Sequence, residues 1–583
     1  MRFLTSCLIT TIVAGTSCAP SERSTAFRTL LADEWALRLA EDPLLATSAG
    51  VNDYNDQLPS MSPEDLQRRA NARRGFLARL AELDRGALDD DGRISYDMFR
   101  RTLEDEVSAH EFGADRIPIT VDNGFHIAFA RLPNQVPLNT TADYENYIAR
   151  LRAYPRYVDQ HVGLMRQGLE DGFTMPRIVL DGYEITIESH VVDDVTQSVF
   201  HAPFEQFPST VPAADRDRLR ASGEAAILEA VVPGYRTFLT FMTDEYIPHA
   251  RPTTGASQLP DGEAYYEYLV RHFTTLDVTP QEVHDVGLRE VERIRTQMEA
   301  IIEEVGFDGS FDEFLTFLRT DPRFYATTPR ALIEKASYIA KRMDGKLPSL
   351  FGRLPRLPYG IQPVPDHLAP KYTGGRYVGA PLGGTQPGYY WVNAYALESR
   401  PLYVLPALTL HEAVPGHHLQ NALQQELDGL PPFRRFGGVN AFGEGWGLYS
   451  EWLGIEAGIY ETPYENFGRL TYEMWRACRL VVDTGLHAME WTRQQAMDFL
   501  ASNTALSLHE VRTETDRYIS WPGQALAYKM GELKIRELRA RAEEALGERF
   551  DVREFHDAVL MNGEIPLSVL EIQIDNFISD GRP

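Results

Sequence analysis

The sequence predicts a mainly α-helical protein built around one small β-sheet, and three observations carry that prediction. Apolar residues recur at three- and four-residue spacing through most of the chain, the period of a helix with one buried face. Between Leu354 and Asn393 this period gives way to short β-prone pieces punctuated by Gly and Pro, Arg376-Tyr377-Val378 and Tyr389-Tyr390-Trp391-Val392 among them, which predict a sheet. No Pro/Ser-rich linker divides the 583 residues, so residues 24–583 read as one unit with two lobes. The first, 24–350, is helical; the second, 351–583, holds the sheet and a further set of helices.

Taken in order, Ser24 to Leu45 and Pro63 to Leu83 predict amphipathic helices, the second with Leu66, Phe76, Leu77, Leu80 and Leu83 on one face. Glu145 to Leu169, Leu219 to Val231, Pro280 to Val305 and Pro329 to Met343 repeat the pattern without a fixed-period repeat. Beyond Arg400 helical patterning runs to the C-terminus, broken at Gly429-Leu430-Pro431-Pro432, Trp521-Pro522-Gly523 and Asn562-Gly563.

Composition narrows the function classes. With 43% hydrophobic and 24% charged residues the chain matches folded soluble proteins, which excludes a disordered or fibrous one. A net charge of -27 repels polyphosphates, so nucleic acid is excluded as a partner. Only Cys7, Cys18 and Cys478 are present, too few for a disulfide framework. Residues 1–18 read as an export signal: Met1-Arg2 is positive, Phe3 to Gly15 is mostly apolar, and Gly15-Thr16-Ser17-Cys18-Ala19 is a small-residue stretch. The run falls short of the roughly 20 apolar residues a spanning helix needs. Cys18 after two small residues resembles a lipobox, although Gly15 stands where Leu is usual. The expectation is an exported protein, periplasmic or lipid-anchored to the cell envelope, touching membrane only through a lipid on Cys18.

The chemistry concentrates in Leu408-Thr409-Leu410-His411-Glu412-Ala413-Val414-Pro415-Gly416-His417-His418-Leu419-Gln420. Neutral imidazoles are frequent zinc ligands, and a Glu next to a ligand can act on a water held at the metal. In the familiar His-Glu-x-x-His pattern the two histidines are four apart, about 6 Å along one helix face. Here the fourth position after His411 is Pro415, which binds no metal and breaks the helix because it has no amide hydrogen. In an unbroken helix His417 and His418 would lie about 9 and 10.5 Å along the axis, too far to share an ion with His411. Pro415-Gly416 can form a bulge that returns one of them, and the sequence does not choose which. A third ligand is expected from Gly443-Glu444-Gly445-Trp446, about a turn and a return helix later, with glycines allowing close approach. Glu451, two turns on, reads as an outer or surface carboxylate.

His411-Glu412-x-x-Pro415-Gly416-His417-His418-x-Gln420 with Gly443-Glu444-Gly445-Trp446 resembles the bacterial family called domain of unknown function 885. So do Arg479-Leu480-Val481-Val482-Asp483-Thr484-Gly485-Leu486-His487 and Arg517-Tyr518-x-x-x-Pro522-Gly523-Gln524-Ala525-x-x-Tyr528-Lys529. The resemblance implies a gluzincin-like zinc metallopeptidase fold with a deep cleft, similar in plan to angiotensin-converting enzyme. On that reading one Zn2+ per chain is held by His411, one of His417 and His418, and Glu444, and Glu412 is the general base. Tyr518 resembles the tyrosine that stabilises the oxyanion in similar enzymes, with His487 or Tyr528 assisting. Arg479 and Asp483, four apart, read as a structural ion pair. The expected activity is hydrolysis of amide bonds in short peptides. A zinc amidohydrolase of a non-peptide or isopeptide substrate and a non-catalytic metal- or peptide-binding lipoprotein are the alternatives.

Overall fold

The structure, a computed structural model, describes residues 22–366, 369, 372–380 and 386–581. The expected export signal and Cys18 lie outside the described residues. Among the described residues the chain is mainly helical, with one three-stranded sheet. Among the described residues no helix is long and apolar enough to cross a membrane.

Helix α1 (Thr141–Asp171) shows how the pattern becomes structure. Thr140 and Asp143 form a capping box at its start, and Gly172 ends it in the left-handed conformation. Tyr144, Tyr147, Leu151, Tyr154, Val158, Val162 and Met165 fall on one face and are buried. They pack with Phe125, Phe129, Phe200, Phe204, Tyr235 and Phe238 into an aromatic core. The single helix expected over Ser24 to Leu45 is instead two, Glu22–Glu41 and Pro43–Ser48. Pro43 takes the first position of the new helix, where no amide hydrogen is required, and the Asp42 side chain caps the N–H groups of Leu44 and Leu45.

The larger core belongs mostly to the second half of the chain. There α2 (Pro280–Glu304) lies along α6 (Pro463–Ala488), which is buried without interruption from Phe467 to His487. Strands β1 (Tyr359–Pro363), β2 (Gly375–Val378) and β3 (Gly388–Val392) lie in the order β1-β3-β2. β1 runs parallel to β3 with Tyr359 opposite Gly388, and β2 runs antiparallel with Arg376 opposite Trp391. β2 lies against α3 (Leu405–Glu412). The helices that complete the region are α4 (His417–Gln425), α5 (Asn440–Glu456), α7 (Leu508–Ser520) and α8 (Ala527–Leu546).

Candidate metal centre

α3 is buried from Leu405 to His411 and stops at Glu412, as the proline three residues on requires. The chain folds back rather than running on: the Gly416 N–H donates to the Leu410 carbonyl at 3.0 Å. Gly416 is needed there, because a side-chain carbon would collide with the carbonyls of Leu410 and His411. The indole N–H of Trp446 donates to the Pro415 carbonyl at 2.8 Å, tying the loop to α5. A new helix, α4, begins at His417, and its imidazole meets that of His411 edge to face with ring centres 4.8 Å apart.

α5 brings the third group. Gly447 lets it press on the His411 ring, since a Cβ there would lie 2.6 Å from the imidazole. Glu444 Oε2 then sits 3.5 Å from His411 Nε2 and 3.4 Å from His417 Nε2. One ligand atom from each of His411, His417 and Glu444 falls within 4.8 Å of the others. Glu412, next to His411, accepts the Tyr377 N–H at 2.8 Å, which fixes its carboxylate against β2.

The electrostatics of the group favour a shared positive charge. Burial disfavours the His411 cation, yet Glu444 and Glu451 hold its pKa up to about 10. Burial would likewise raise Glu444, but His411 and His417 more than offset it and hold the carboxyl well below the usual range. Glu444 Oε2 is buried and has no hydrogen-bond partner. Its separations of 3.4 and 3.5 Å from the two imidazole nitrogens are long for a charge-assisted hydrogen bond. They are close to the ~3.3 Å between ligands of a tetrahedral ion with bonds of ~2.0–2.1 Å. Two imidazoles and one carboxylate are also a donor set that suits zinc. The residues present fit the ion.

The other sequence candidates fall elsewhere. His418 is not brought to the group: Nδ1 faces the Tyr377 hydroxyl at 3.2 Å and Nε2 the Leu357 carbonyl at 3.1 Å. The reason is helical geometry, since neighbouring residues point about 100° apart, and His417 takes the inward direction. His487 is also committed, its Nδ1 accepting from the Ala256 N–H and its Nε2 donating to the Tyr518 carbonyl, both at 3.0 Å. The Tyr518 hydroxyl is buried and accepts from Trp475 Nε1 at 2.8 Å and Arg479 Nε at 2.9 Å. Tyr528 is the tyrosine beside the group, its ring stacked 6.4 Å from that of His411. The expected Arg479–Asp483 pair does not form. Arg479 reaches Glu514, while Asp483 accepts from the Tyr266 hydroxyl at 2.6 Å and the Gly523 N–H at 3.0 Å.

The residue that sequence reasoning undervalued is Glu451. It is buried, and its Oε1 accepts from His411 Nδ1 at 2.8 Å, so it fixes the tautomer that turns Nε2 toward Glu444. Its place seven residues after Glu444, two turns along the same helix face, is the signal that points to it. Arg476 backs Glu451 at 3.5 Å, and nothing in its local sequence announces that contact.

Fold and site together define a helical protein that carries a candidate two-histidine, one-carboxylate metal centre at a helix break. The chain belongs to the family described as bacterial protein of unknown function DUF885, which matches residues 43–574. Among solved structures it is similar to a candidate lipoprotein from Colwellia psychrerythraea, at 27% identity and a TM-score of 0.90, over 96% of this chain and 100% of that one. It shares its fold with a candidate lipoprotein of unknown function from Shewanella oneidensis, at 16% identity and a TM-score of 0.71, over 95% of this chain and 99% of that one. No protein of curated function matches the chain.

Proposed function

We propose that this protein is a zinc-dependent hydrolase that cleaves amide bonds in short peptides, on a gluzincin-like plan. The observation that carries the reading is the convergence of His411, His417 and Glu444 with Glu412 adjoining them. A zinc ion bound by the three would supply Lewis acidity, polarising a substrate carbonyl and making a water acidic near neutral pH. Glu412, oriented by the Tyr377 N–H, takes the proton from the attacking water and returns it to the departing amine nitrogen. Glu451 holds the His411 ring in register during this exchange. Tyr528, whose ring stacks 6.4 Å from that of His411, donates its hydroxyl to the carbonyl oxygen as negative charge develops there. Export to the envelope is supported by the description of the Colwellia relative as a candidate lipoprotein and by Cys18 in its small-residue setting.

Elemental analysis of the purified chain tests the assignment. About one zinc per chain is expected, lost in His417→Ala and retained in His418→Ala. Cleavage of a short-peptide library should stop with a chelator and return with zinc. Wild-type protein that binds no divalent metal, or cleavage that persists through chelation, would overturn the proposal.

A further inference from the structure

Next to the metal-centre residues lie three arginines, two of which keep a buried nitrogen that no protein acceptor meets. Arg479 on α6 stacks between Trp475 and Tyr528, its Cζ 4.3 and 4.4 Å from their ring centres. It donates from Nε to the Tyr518 hydroxyl and from Nη2 to Glu514 at 3.0 Å, and its Nη1 is buried without a partner. Arg517 on α7 shares Glu514 at 3.3 Å and reaches Gln524 Oε1 at 2.6 Å and the Tyr528 hydroxyl at 3.5 Å. Arg476 lies over Tyr472 and Trp475, approaches Glu451 at 3.5 Å, and has a buried Nε without a partner.

The acids that face this group are few. Glu451 is committed to His411. Glu510 is pushed up to about 7 by burial and by Glu514. Asp122, on an exposed loop, and Asp483, already committed to the Tyr266 hydroxyl and the Gly523 N–H, are the other carboxylates near Arg517. Glu514 alone is therefore shared between the two guanidiniums that touch it. Buried guanidiniums with idle donors are costly, and an anion removes that cost. A planar carboxylate matches the guanidinium fork.

We propose that this arginine group binds a carboxylate of the substrate. Arg517, the more exposed of the two guanidiniums that share Glu514, makes the contact, and Arg479, whose buried Nη1 has no partner, supplies the charge behind it. The Tyr528 ring is the bridge, 6.4 Å from the His411 ring on one side and 4.4 Å from the Arg479 guanidinium on the other. An extended peptide at about 3.5 Å per residue covers that span in about three residues. The substrate class is thus a short peptide cut close to a carboxylate, either its free C-terminus or an acidic side chain. This deepens the hydrolase reading and rests on it for the position of the scissile bond.

The experiment measures binding without turnover. A panel of tripeptides is titrated calorimetrically into zinc-supplemented Glu412→Gln protein in three forms: free acid, C-terminal amide, and C-terminal amide ending in Asp. The free acid is expected to bind at least tenfold more tightly than the plain amide, and Arg517→Gln should remove that preference with the zinc content unchanged. Recovery of tight binding by the Asp amide assigns the site to an acidic side chain as well, and weak binding of it assigns the site to the C-terminus. Equal binding of acid and plain amide, no binding of either at millimolar peptide, or a preference that survives Arg517→Gln overturns the subsite. The acid-to-amide comparison is made within one protein, so it stands even if Arg517→Gln fails to fold. A chain that prefers acids yet cleaves nothing as wild type overturns the hydrolase reading and leaves the carboxylate site in place.

Discussion

Buried histidines occur in both halves of this protein, and those of the aromatic core contrast with His411 at the candidate centre. His126 and His161 lie among the aromatic rings that pack on α1, with His161 stacked 4.1 Å from Phe125 and neither of its nitrogens hydrogen-bonded. Burial pushes both to about 3, so both are neutral packing groups. His411 is buried as deeply, but it lies between Glu444 and Glu451 and is held up to about 10. Burial alone therefore makes a histidine inert, and adjacent carboxylates make it a site for positive charge. At the candidate centre the chain takes on that electrostatic cost; the aromatic core avoids it, as do the buried His487 and His556 of the second half, which burial pushes to about 3.

The largest expected effect breaks the active side of this contrast without disturbing the imidazoles. Glu412→Gln keeps the shape of the carboxylate and the contact with Tyr377 N–H but removes the base. Steady-state cleavage should fall on the order of 10² to 10⁴ in kcat while zinc content stays at wild type. Normal turnover would show that the proton goes elsewhere.

Next in size is Tyr528→Phe, which removes the hydroxyl of the ring stacked on His411. Turnover should fall about a hundredfold with KM little changed if the hydroxyl acts on the developing oxyanion. The parallel Tyr518→Phe should not show that pattern, because the Tyr518 hydroxyl accepts from Trp475 and Arg479 and donates its own O–H to Glu514. A larger kcat loss in Tyr518→Phe than in Tyr528→Phe would reverse the assignment.

Glu451→Gln tests whether the carboxylate behind His411 sets its character. Zinc affinity measured against a competing chelator should drop roughly 10- to 100-fold with the fold retained. Unchanged affinity would mean that Glu451 only packs.

The smallest effect sharpens the other side. The folded-state pKa of His161 lies below its ordinary value of 6.5, so the unfolded chain binds more protons below that pH. The stability this group contributes is complete above pH 6.5 and declines as pH falls toward 3, by about 1.4 kcal/mol per pH unit. His161→Leu, close in volume, should flatten the pH dependence of the unfolding free energy by that slope between pH 6.5 and 4.5. Urea titrations at several pH values would read it, and an unaltered slope would place the acid sensitivity elsewhere.

The sequence by itself determined the helical class, the place of the sheet, the break at Pro415 and the three elements that converge on the centre. These features rest on local rules: the period of apolar residues, the missing amide hydrogen of proline and the close approach that glycine permits. It could not choose between His417 and His418, because that choice depends on the direction in which the bulged loop re-enters a helix. Trp446 from α5 and the tyrosines of β1 and β2 settle that direction from outside the motif. The family resemblance put Tyr518 ahead of Tyr528, although both sit in the same motif and differ in what surrounds their hydroxyls. Tertiary structure decided where these side chains sit because the energy of a buried imidazole or hydroxyl depends on its partners, and here those partners come from parts of the chain 31 to 61 residues away.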